Sequence, residues 1–594
     1  MKIRILPLML VAGAATFSGC TLNKMAKLAK EQDVKATPDP LEVHADTVAF
    51  ELSAVLPTKM MKPGYDYTID PSYKYGSKEI DLNDVTFKGD DYPDKSAKPK
   101  KTESFAFPYN SDITNGDLVV DGTVTTKAGK EKKAIKDFAI AKGLITTSTL
   151  VENVANAAYA HPGYTDAEEL EPTYVEFFFP QGSPRLNLYM STNRDEAKSF
   201  KAFVAEKNVT RKVIITGTHS PEGTERVNSN LAEERAQAIE KQYRTLMGRY
   251  DYKGEADKID FVLKPVVDDW GQFKTVLDSF DKLTAAQKQE CLRIVNGAGT
   301  FEEKQDRLAE LPFYKTIFNG LYPKLRNART EILTVIEKKP NSTIAVMAKQ
   351  IANGSLSADS LSDGELLWAA HLTPSLDEKE AIYKAVIKKS NAWKAHNNLA
   401  GVYVAKAEKA EGSARNSLVE KAINQAQSAN RQTESPEAYA NLAAAYYLQG
   451  NIAKAYGTIA KSVSLRPDSY SAAAINGTRG AIEIRMAKYG DAIATLAASD
   501  KTAVNAFNKG LAQLLNKEYQ NAVVSLDEAT EINGDFALAY YVKAVAYARQ
   551  NNSSKAVDAL KKAVKIDPSL KAKAANDLEF SKISASSDFT NAVK

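Results

Sequence analysis

A serine, a histidine and an acid lie close together in the stretch GTHSPEG, residues 217 to 223. Such a trio supports nucleophilic catalysis when the histidine reaches the serine and a third group orients the histidine. His219 and Ser220 are neighbours at the end of a predicted strand, however, so their side chains point to opposite faces. The spacing therefore argues against a catalytic site here.

The rest of the chain offers little for catalysis. None of its five histidines has the spacing from a Cys, an Asp or another His that metal ligands show. It has no glycine-rich phosphate-binding loop, and Cys291 has no flanking basic cluster that would activate its thiol. We predict a protein that is not an enzyme and that needs no metal or cofactor.

Composition points to several soluble domains. The chain has 594 residues, 44% of them hydrophobic and 26% charged, which is ordinary for globular protein. A net charge of +4 over this length gives no case for nucleic acid as a partner.

Strands and helices alternate around the opening stretch and predict an α/β sandwich domain over residues 172 to 338. One helix places Ala232, Ala236, Ile239 and Tyr243 on one face at helical spacing. A helical insertion covers about residues 266 to 322. The sequence leaves open whether this insertion shields a ligand groove or forms a docking surface.

The turn and the start of the helix resemble the peptidoglycan-binding OmpA-like family. The pattern of that family is G-x-T-D-x-x-G, then an Asn five residues on, then L-S-x-x-R-A. The matching residues here are Gly217, Gly223, Asn228, Leu231, Arg235 and Ala236, while Ala232 replaces the usual Ser. The resemblance covers roughly residues 172 to 338.

The resemblance implies a zwitterionic ligand at the end of a peptide stem. In that family the Asp receives the ligand ammonium and the Arg pairs with its carboxylate, but here the Asp position is Ser220. A charge-assisted bond contributes about 1.5–3 kcal/mol and a neutral one about 1 kcal/mol, so binding weakens at least tenfold. The candidate peptidoglycan-binding residues are Ser220, Glu222, Asn228 and Arg235. Glu222 either replaces the missing carboxylate, caps the helix or faces water, and Arg235 either contacts ligand or has a structural role.

The N-terminus resembles the signal peptide of a bacterial lipoprotein. Residues 1 to 19 combine a basic start, a short apolar run and the small residues Ser18 and Gly19 before Cys20, with Phe17 where the lipobox usually has Leu. The resemblance implies lipidation at Cys20, and each buried methylene of an acyl chain adds about 0.8 kcal/mol of membrane affinity. The residues after Cys20 lack the retention and surface-export signals of lipoproteins, which implies the outer membrane, facing the periplasm.

Residues 20 to 37 are polar and Lys-rich, and we predict a tether between lipid and the first domain. From residue 38 to residue 152 the apolar residues alternate and turn residues separate short runs, which predicts a β-sandwich. Residues 153 to 171 have the composition of a linker.

From residue 343 to residue 594 the chain repeats with a period of about 34 residues and resembles the tetratricopeptide (TPR) family. The unit at 537 to 570 places small or aromatic residues where two helices cross and ends near Pro568. Equivalent residues are Ala544, Tyr547, Ala556, Leu560 and Ala563; Gly510, Gln513, Ala522, Leu526 and Ala529; and Ala443, Tyr446, Ala455, Ile459 and Ser462. We predict about five repeats and a capping helix.

The first helices of TPR units line a groove, and the resemblance places six candidate binding residues there. They are Asn441, Tyr447, Phe507, Leu511, Tyr541 and Val545. An apolar groove with one polar residue suits a protein partner, either a helix or an extended peptide with apolar anchors. The alternative is that some of these side chains fill gaps between repeats.

Together these patterns predict a multidomain protein with an N-terminal β-sandwich, a central α/β OmpA-like domain with a helical insertion, and a C-terminal all-α TPR solenoid. One hypothesis is an outer-membrane lipoprotein that scaffolds an envelope complex, with the central domain on peptidoglycan and the TPR groove on protein partners. The alternative is that the central domain has lost peptidoglycan binding and the whole chain is an assembly factor for an outer-membrane secretion or biogenesis machine.

Overall fold

A computed structural model describes residues 12–94, 96–129, 132–252, 254–266 and 270–594, with side chains from residue 20 onward. Residues 1 to 11 of the predicted signal peptide lie outside the described residues. The chain divides into two compact units. One unit contains Met1–Tyr164 and Ser342–Lys594, and the other is Thr165–Asn341.

Two β-sheets form the N-terminal part of the first unit. One sheet has the order β1-β3-β2-β10 with β7 also on β3, and the other has the order β5-β4-β8-β9 with β6 also on β4. The elements are α1 (Ala12–Leu28), β1 (Asp33–Thr37), β2 (Leu41–His44), β3 (Thr47–Val55), β4 (Tyr65–Tyr75), β5 (Lys78–Asp81), β6 (Val85–Lys88), β7 (Lys100–Pro108), β8 (Asp117–Thr126), β9 (Lys132–Lys142) and β10 (Leu144–Ile145).

The alternating residues of these strands form one core between the two sheets. Phe50 and Leu52 of one sheet and Tyr67 of the other are buried in the same cluster. The ring of Tyr73 lies 5.0 Å from that of Phe107 across the core. Apolar side chains at every second position therefore give the predicted sandwich.

Residues 20 to 37 do not form the free tether that their composition suggested. Helix α1 continues to Leu28, with Leu22 and Met25 buried in the sandwich core, and β1 pairs with β3. The apolar residues of this stretch stand at helical spacing between the lysines, so they cover the sandwich while the lysines stay exposed.

The second unit is a four-stranded sheet with helices. Its strands have the order β11-β14-β12-β13; only the β12–β13 pair is parallel. The elements are β11 (Leu170–Phe178), α2 (Arg194–Ala205), β12 (Thr210–Gly217), α3 (Glu225–Arg249), β13 (Asp260–Pro265), α4 (Trp270–Asp278), α5 (Ala285–Asn296), α6 (Phe301–Ala309), α7 (Tyr314–Thr316) and β14 (Asn327–Val335). The strands and α2 and α3 lie where the hydrophobic pattern predicts them, and α4 to α7 lie within the predicted insertion.

A series of helices makes up the rest of the first unit, and from α11 onward successive helices pack in pairs. The helices are α8 (Asn341–Ala352), α9 (Asp363–Leu372), α10 (Leu376–Ser390), α11 (Trp393–Glu408), α12 (Gly412–Gln432), α13 (Pro436–Leu448), α14 (Ile452–Ser464), α15 (Ala472–Arg485), α16 (Tyr489–Ala497), α17 (Ala503–Leu515), α18 (Tyr519–Ile532), α19 (Ala537–Arg549), α20 (Ser553–Ile566), α21 (Leu570–Asn576) and α22 (Ser587–Val593). Small residues allow the close crossings, since a Cβ at Gly480 would lie 2.4 Å from Leu496 and one at Gly510 would lie 2.7 Å from Leu526.

Gly217 lies where strand β12 packs closely against helix α3. A Cβ at this position would lie 1.9 Å from the carbonyl oxygen of Ala232, which is helix backbone and cannot turn away. We expect Gly217→Ala to lower the free energy of unfolding of the second unit by about 3 kcal/mol, the upper range for overpacking. Hydrogen exchange of β12 and α3 peptides in urea measures this loss.

Gly248→Ala is the matched control. Gly248 lies in α3, the helix that packs against Gly217, and nothing lies within 4 Å of its added Cβ. Alanine is the better helix former, so this variant should be neutral or more stable by up to about 1 kcal/mol. Equal effects of the two substitutions would contradict the assigned strand–helix contact.

Candidate functional site

An extended segment of the chain itself, residues 151 to 164, lies along the first helices of the TPR array. We call it the groove segment. Helices α11, α13, α15 and α17 each direct a polar side chain at its backbone. Residues 153 to 164 of the predicted linker (153 to 171) therefore pack on the array and do not run free, because they include small apolar residues that the helices bury.

Three asparagines each bind both polar groups of one residue in the groove segment. The Asn441 side chain accepts a hydrogen bond from the Ala158 amide (2.9 Å) and donates one to the Ala158 carbonyl (2.9 Å). Asn398 does the same at Ala160, at 2.7 and 3.4 Å. Asn508 binds Glu152 at 3.0 and 2.9 Å. The carboxamide suits this task because it carries a donor and an acceptor side by side.

Three further side chains bind the backbone of the segment. The Thr478 hydroxyl accepts from the Asn156 amide at 3.0 Å, the Glu408 carboxylate accepts from the Ala155 amide at 3.3 Å, and the Asn397 side chain donates to the Ala158 carbonyl at 3.0 Å. The contacts of Asn508, Thr478, Asn441 and Asn398 follow α17, α15, α13 and α11 in turn from Glu152 to Ala160, opposite to the order of these helices in the chain. These contacts recognise backbone, so they fix conformation and direction without reading side-chain identity.

The groove segment approaches the helices closely because its side chains are small. Ala158 and Ala160 are fully buried or nearly so, at 0% and 2% exposure. A Cβ at Gly401 of α11 would lie 3.1 Å from the Ala157 Cβ, and one at Gly477 of α15 would lie 2.4 Å from the Asn156 side chain. Glycine in these helices therefore leaves room for the segment backbone.

Two carboxyl groups lie beside the first half of the groove segment. Burial raises the pKa of Glu152, and the neighbouring Glu408 raises it further. Burial also raises the pKa of Glu408, against the lowering effect of the Ala155 amide. The folded protein holds these protons at a pH where the unfolded chain releases them, so folding gains stability as pH falls through this range.

The β-sandwich docks on the array next to the start of the groove segment. Arg485 of α15 pairs with Asp46 at 2.7 Å, and Arg549 of α19 pairs with Glu42 at 3.3 Å. The Tyr489 hydroxyl lies 2.6 Å from Nδ1 of His44. This end of the segment is therefore held by a docked domain as well as by its own contacts.

The six predicted groove residues have different surroundings, and only Asn441 is hydrogen-bonded to an extended chain. Asn441 contacts an extended chain, as a groove residue would, but that chain is residues 151 to 164 of the same protein. Tyr447 is 4% exposed, and burial raises the pKa of its hydroxyl to about 12. The other four, Phe507, Leu511, Tyr541 and Val545, have 0% exposure in the core of the array.

The prediction that these four line an accessible groove is thus wrong, and the alternative that they fill gaps between repeats describes them. Phe507 packs against Phe536 with the rings 5.0 Å apart. Tyr541 donates a hydrogen bond to Asp577 at 2.6 Å, and its ring packs against Phe580. The C-terminal residues that cap the array thus cover Tyr541, and the residue before α19 covers Phe507.

Sequence reasoning missed Asn398, Thr478 and Asn508, although a signal for them exists. Each lies two residues before the small residue at which its helix crosses the next one: Asn398 before Ala400, Asn441 before Ala443, Thr478 before Gly480 and Asn508 before Gly510. Two residues correspond to about 200° of helix rotation, so this position faces away from the crossing. A recurring Asn or Thr there indicates a line of polar groups along the array.

In the second unit, the residues of the predicted peptidoglycan motif meet at the turn between β12 and α3. Gly223 has a positive φ of 103°, and its carbonyl accepts a hydrogen bond from the Asn228 side chain at 3.3 Å. Asn228 is 2% exposed and therefore fixes the turn.

Arg235 is buried beneath this turn, with 1% exposure. Its guanidinium donates to the backbone carbonyls of Thr218 (2.7 Å), Pro180 (3.2 Å) and Ser183 (3.3 Å). Burial lowers its pKa to about 10, the cation of Arg326 acts in the same direction, and Glu222 opposes them. The side chain joins two backbone segments, the loop at residues 180 to 183 and the turn at Thr218, and it does not face solvent.

Ser220 and Glu222 bind Arg326, a residue that sequence reasoning missed. Nε of Arg326 donates to the Ser220 hydroxyl at 2.8 Å, and Nη2 donates to Oε1 of Glu222 at 2.6 Å. The side chain of Arg326 is 8% exposed and that of Glu222 is 18% exposed. Glu222 is thus paired with Arg326 and is not a free carboxylate in place of the missing Asp, a helix cap or a solvated side chain. The signal available for Arg326 was only a lone arginine just before the last strand.

The helical insertion packs against the motif. Phe301 of α6 lies 5.6 Å from the His219 ring and 4.8 Å from the Trp270 ring. The Glu302 carboxylate accepts a hydrogen bond from the Glu225 amide at the start of α3, at 2.9 Å. Of the two possibilities for the insertion, the geometry corresponds to shielding of the motif.

The two cysteines have different surroundings. Cys20 is exposed on α1, whereas Cys291 is buried in α5, where burial raises the pKa of its thiol to about 11. Within the described part of the chain, no helix combines the length and the apolar character that a membrane crossing requires.

Comparison with known proteins supports the repeat assignment. Residues 537–570 match the family model of the tetratricopeptide repeat, so the array contains a TPR unit. Curated proteins gave no match to this sequence.

Several solved structures are similar to parts of the chain. MamA from residue 41 to its end, from Desulfovibrio magneticus RS-1, is 17% identical, covering 29% of this chain and 96% of its own with a TM-score of 0.25. YrrB, described as a TPR protein with an unusual peptide-binding site, is 18% identical over 32% and 97% with a TM-score of 0.27. The pilF protein of Pseudomonas aeruginosa is 14% identical over 42% and 99% with a TM-score of 0.28.

The burial of Arg235 generates a prediction that separates a structural role from ligand contact. Arg235→Ala leaves three carbonyls without their donor, so the second unit should lose about 3 kcal/mol of unfolding free energy. Arg226→Ala, at an exposed position of the same helix, should change it by less than about 0.5 kcal/mol. Urea-dependent hydrogen exchange of β12 and α3 measures both, and a stable Arg235→Ala variant would contradict the structural role.

Proposed function

We propose that this protein is a non-catalytic scaffold of the bacterial envelope, anchored to the outer membrane through acylated Cys20, facing the periplasm and holding protein partners on its TPR array. The observation that carries the proposal is the asparagine ladder, which holds an extended polypeptide by its backbone on the first helices of the array. This is a binding mode for protein chains, since it needs a repeating donor and acceptor pattern.

The surroundings of Cys20 support the anchor. Cys20 is exposed on α1, and the exposed lysines Lys24 and Lys27 follow within two turns. Lysines next to acyl chains add electrostatic attraction to anionic lipid headgroups, about 1 kcal/mol for each residue near the surface.

The central domain fits a protein-contact role better than a wall-binding role, which favours the assembly-factor hypothesis. A zwitterionic peptide end needs one free anion and one free cation. Arg235 is buried against carbonyls, and the only acid of the motif, Glu222, is paired with Arg326. Binding would require breaking a buried ion pair, at a cost of about 3–5 kcal/mol.

Peptidoglycan binding remains a second candidate function because one observation favours it. Gly217, Gly223, Asn228 and Arg235 come together at a single strand-to-helix turn. A conformational change that frees Arg235 would restore the cationic half of the site.

Cell fractionation and cross-linking test the scaffold. The wild-type chain should sediment with outer membranes, and Cys20→Ser should move to the soluble fraction because its acyl chains are lost. Cys291→Ala, at the other cysteine, should remain with the membranes. Cross-linking of the membrane-bound chain should give defined adducts with other envelope proteins; a chain that stays free of adducts would contradict the scaffold role.

Sedimentation with purified peptidoglycan sacculi distinguishes the two candidate functions. We expect the detergent-solubilised wild-type chain and the Ser220→Asp variant to stay in the supernatant. Nε of Arg326 lies 2.8 Å from the Ser220 hydroxyl, so the new carboxylate would pair with Arg326. Co-sedimentation of the wild type that excess free diamino acid reverses, and that Arg235→Lys weakens, would instead establish a wall tether. Sedimentation that the free diamino acid does not reverse indicates adsorption without use of the site.

A further inference from the structure

We propose that the groove segment is a displaceable internal ligand, whose place on the array is taken by an extended partner chain with small side chains at the buried positions. The inference rests on the proposed scaffold function and names the partner chemistry of that same array. Such a partner would make the contacts that residues 152 to 160 make in this structure. Its binding would displace these residues from the helices.

Recognition of the segment through its backbone carries the first step. Asn398, Asn441 and Asn508 each bind an amide and a carbonyl of a single residue, a pattern that any extended chain offers at the same spacing. The backbone of another extended chain can therefore form the same hydrogen bonds with these asparagines. The segment must leave first, because it already occupies the position in which each asparagine binds an amide and a carbonyl.

The shape of the array restricts the partner. Ala158 and Ala160 are buried beside the asparagines, and Ala157 lies against the position of Gly401. A large side chain at position 157 would collide with α11 at Gly401, and positions 158 and 160 are buried, which leaves no room for large side chains there. The partner must also lack proline wherever an amide donates, as Ala155, Asn156, Ala158 and Ala160 do here. We infer a partner strand rich in Ala, Gly or Ser at these positions.

The two ends of the groove segment are held differently, which sets the direction of peeling. The Glu152 end continues into the docked sandwich, where Arg485 and Arg549 form ion pairs. The far end is packed by aromatic rings, with His161 5.1 Å from Tyr470 and Tyr164 6.0 Å from Trp368. The ring contacts at this end of the segment break more readily than the contacts of a docked domain, so release starts at residues 160 to 164.

Tethering explains how the array excludes weak ligands. A segment joined to its own groove acts at an effective concentration of about a millimolar. Partners with isolated affinities weaker than this do not displace it, whereas a longer partner strand that adds contacts along α9 and α11 does.

Peptide binding to the full chain tests the proposal. The probe is a fluorescent peptide with the sequence of residues 151 to 164, VENVANAAYAHPGY. Ala158→Pro with Ala160→Pro removes two amides that the ladder binds but leaves the array unchanged, so the probe should bind at least tenfold more tightly than to wild type. Asn153→Pro, at an exposed residue of the same segment, should leave probe affinity within twofold of wild type.

A disulfide lock supplies an independent variant that keeps the segment in place. Ala157→Cys with Gly401→Cys places two Cβ atoms 3.1 Å apart, a few tenths of an ångström short of disulfide geometry. The oxidised chain should bind at least tenfold less probe than the same chain after reduction. Equal binding in both states would overturn the proposal, because the probe would then be bound outside the ladder.

Hydrogen exchange on the wild-type chain decides whether the segment leaves at all. The amides of residues 155 to 160 should exchange at least tenfold faster than those of α13, through local opening. Equal protection, or loss of α13 protection in the double proline variant, would overturn the proposal by showing that the segment is an inseparable part of the core. The scaffold function would survive that result if envelope cross-links persist, since partners would then use another surface.

Discussion

A polypeptide buried in extended form has amide and carbonyl groups that no neighbouring strand pairs, and each of them needs a partner inside the protein. The first unit meets this need with asparagine carboxamides from successive helices, each bound to one residue of the groove segment. The rest of the array follows from this arrangement: small segment side chains, glycines at 401 and 477, and a sandwich docked where the segment enters. The array thus holds an extended segment of its own chain by its backbone.

The same need for partners governs the second unit, but there the buried groups are charged. Arg235 donates hydrogen bonds to three backbone carbonyls, while Arg326 pairs with Glu222 and donates to the Ser220 hydroxyl. The residues of the motif thus make contacts inside the unit, and the insertion packs against them through Phe301. The carboxylate missing at position 220 is consistent with this, because an Asp there would compete with Glu222 for Arg326.

Periodicity predicted the elements well and their contacts poorly. Alternation placed Phe50 and Leu52 in the sandwich core, and helical spacing placed Ala236 and Tyr243 against the sheet. The same spacing could not show that Phe507 and Tyr541 are covered, because the covering residues Phe536 and Phe580 come from other elements of the array. Arg326 was also missed, since its partners Ser220 and Glu222 lie more than a hundred residues away in the chain.

The sequence by itself determined the repeat, the strand and helix order and the turn at Gly223, because each depends on residues close together in the chain. Tertiary structure alone decided what the polar groups bind. The repeat pattern assigns Asn441 to the groove, but only the folded structure shows that its partner is Ala158. The motif identifies Arg235, but only the folded structure shows that it binds backbone carbonyls. A side chain's type fixes which bonds it can make, while the three-dimensional path of the chain fixes which groups come within about 3 Å of it.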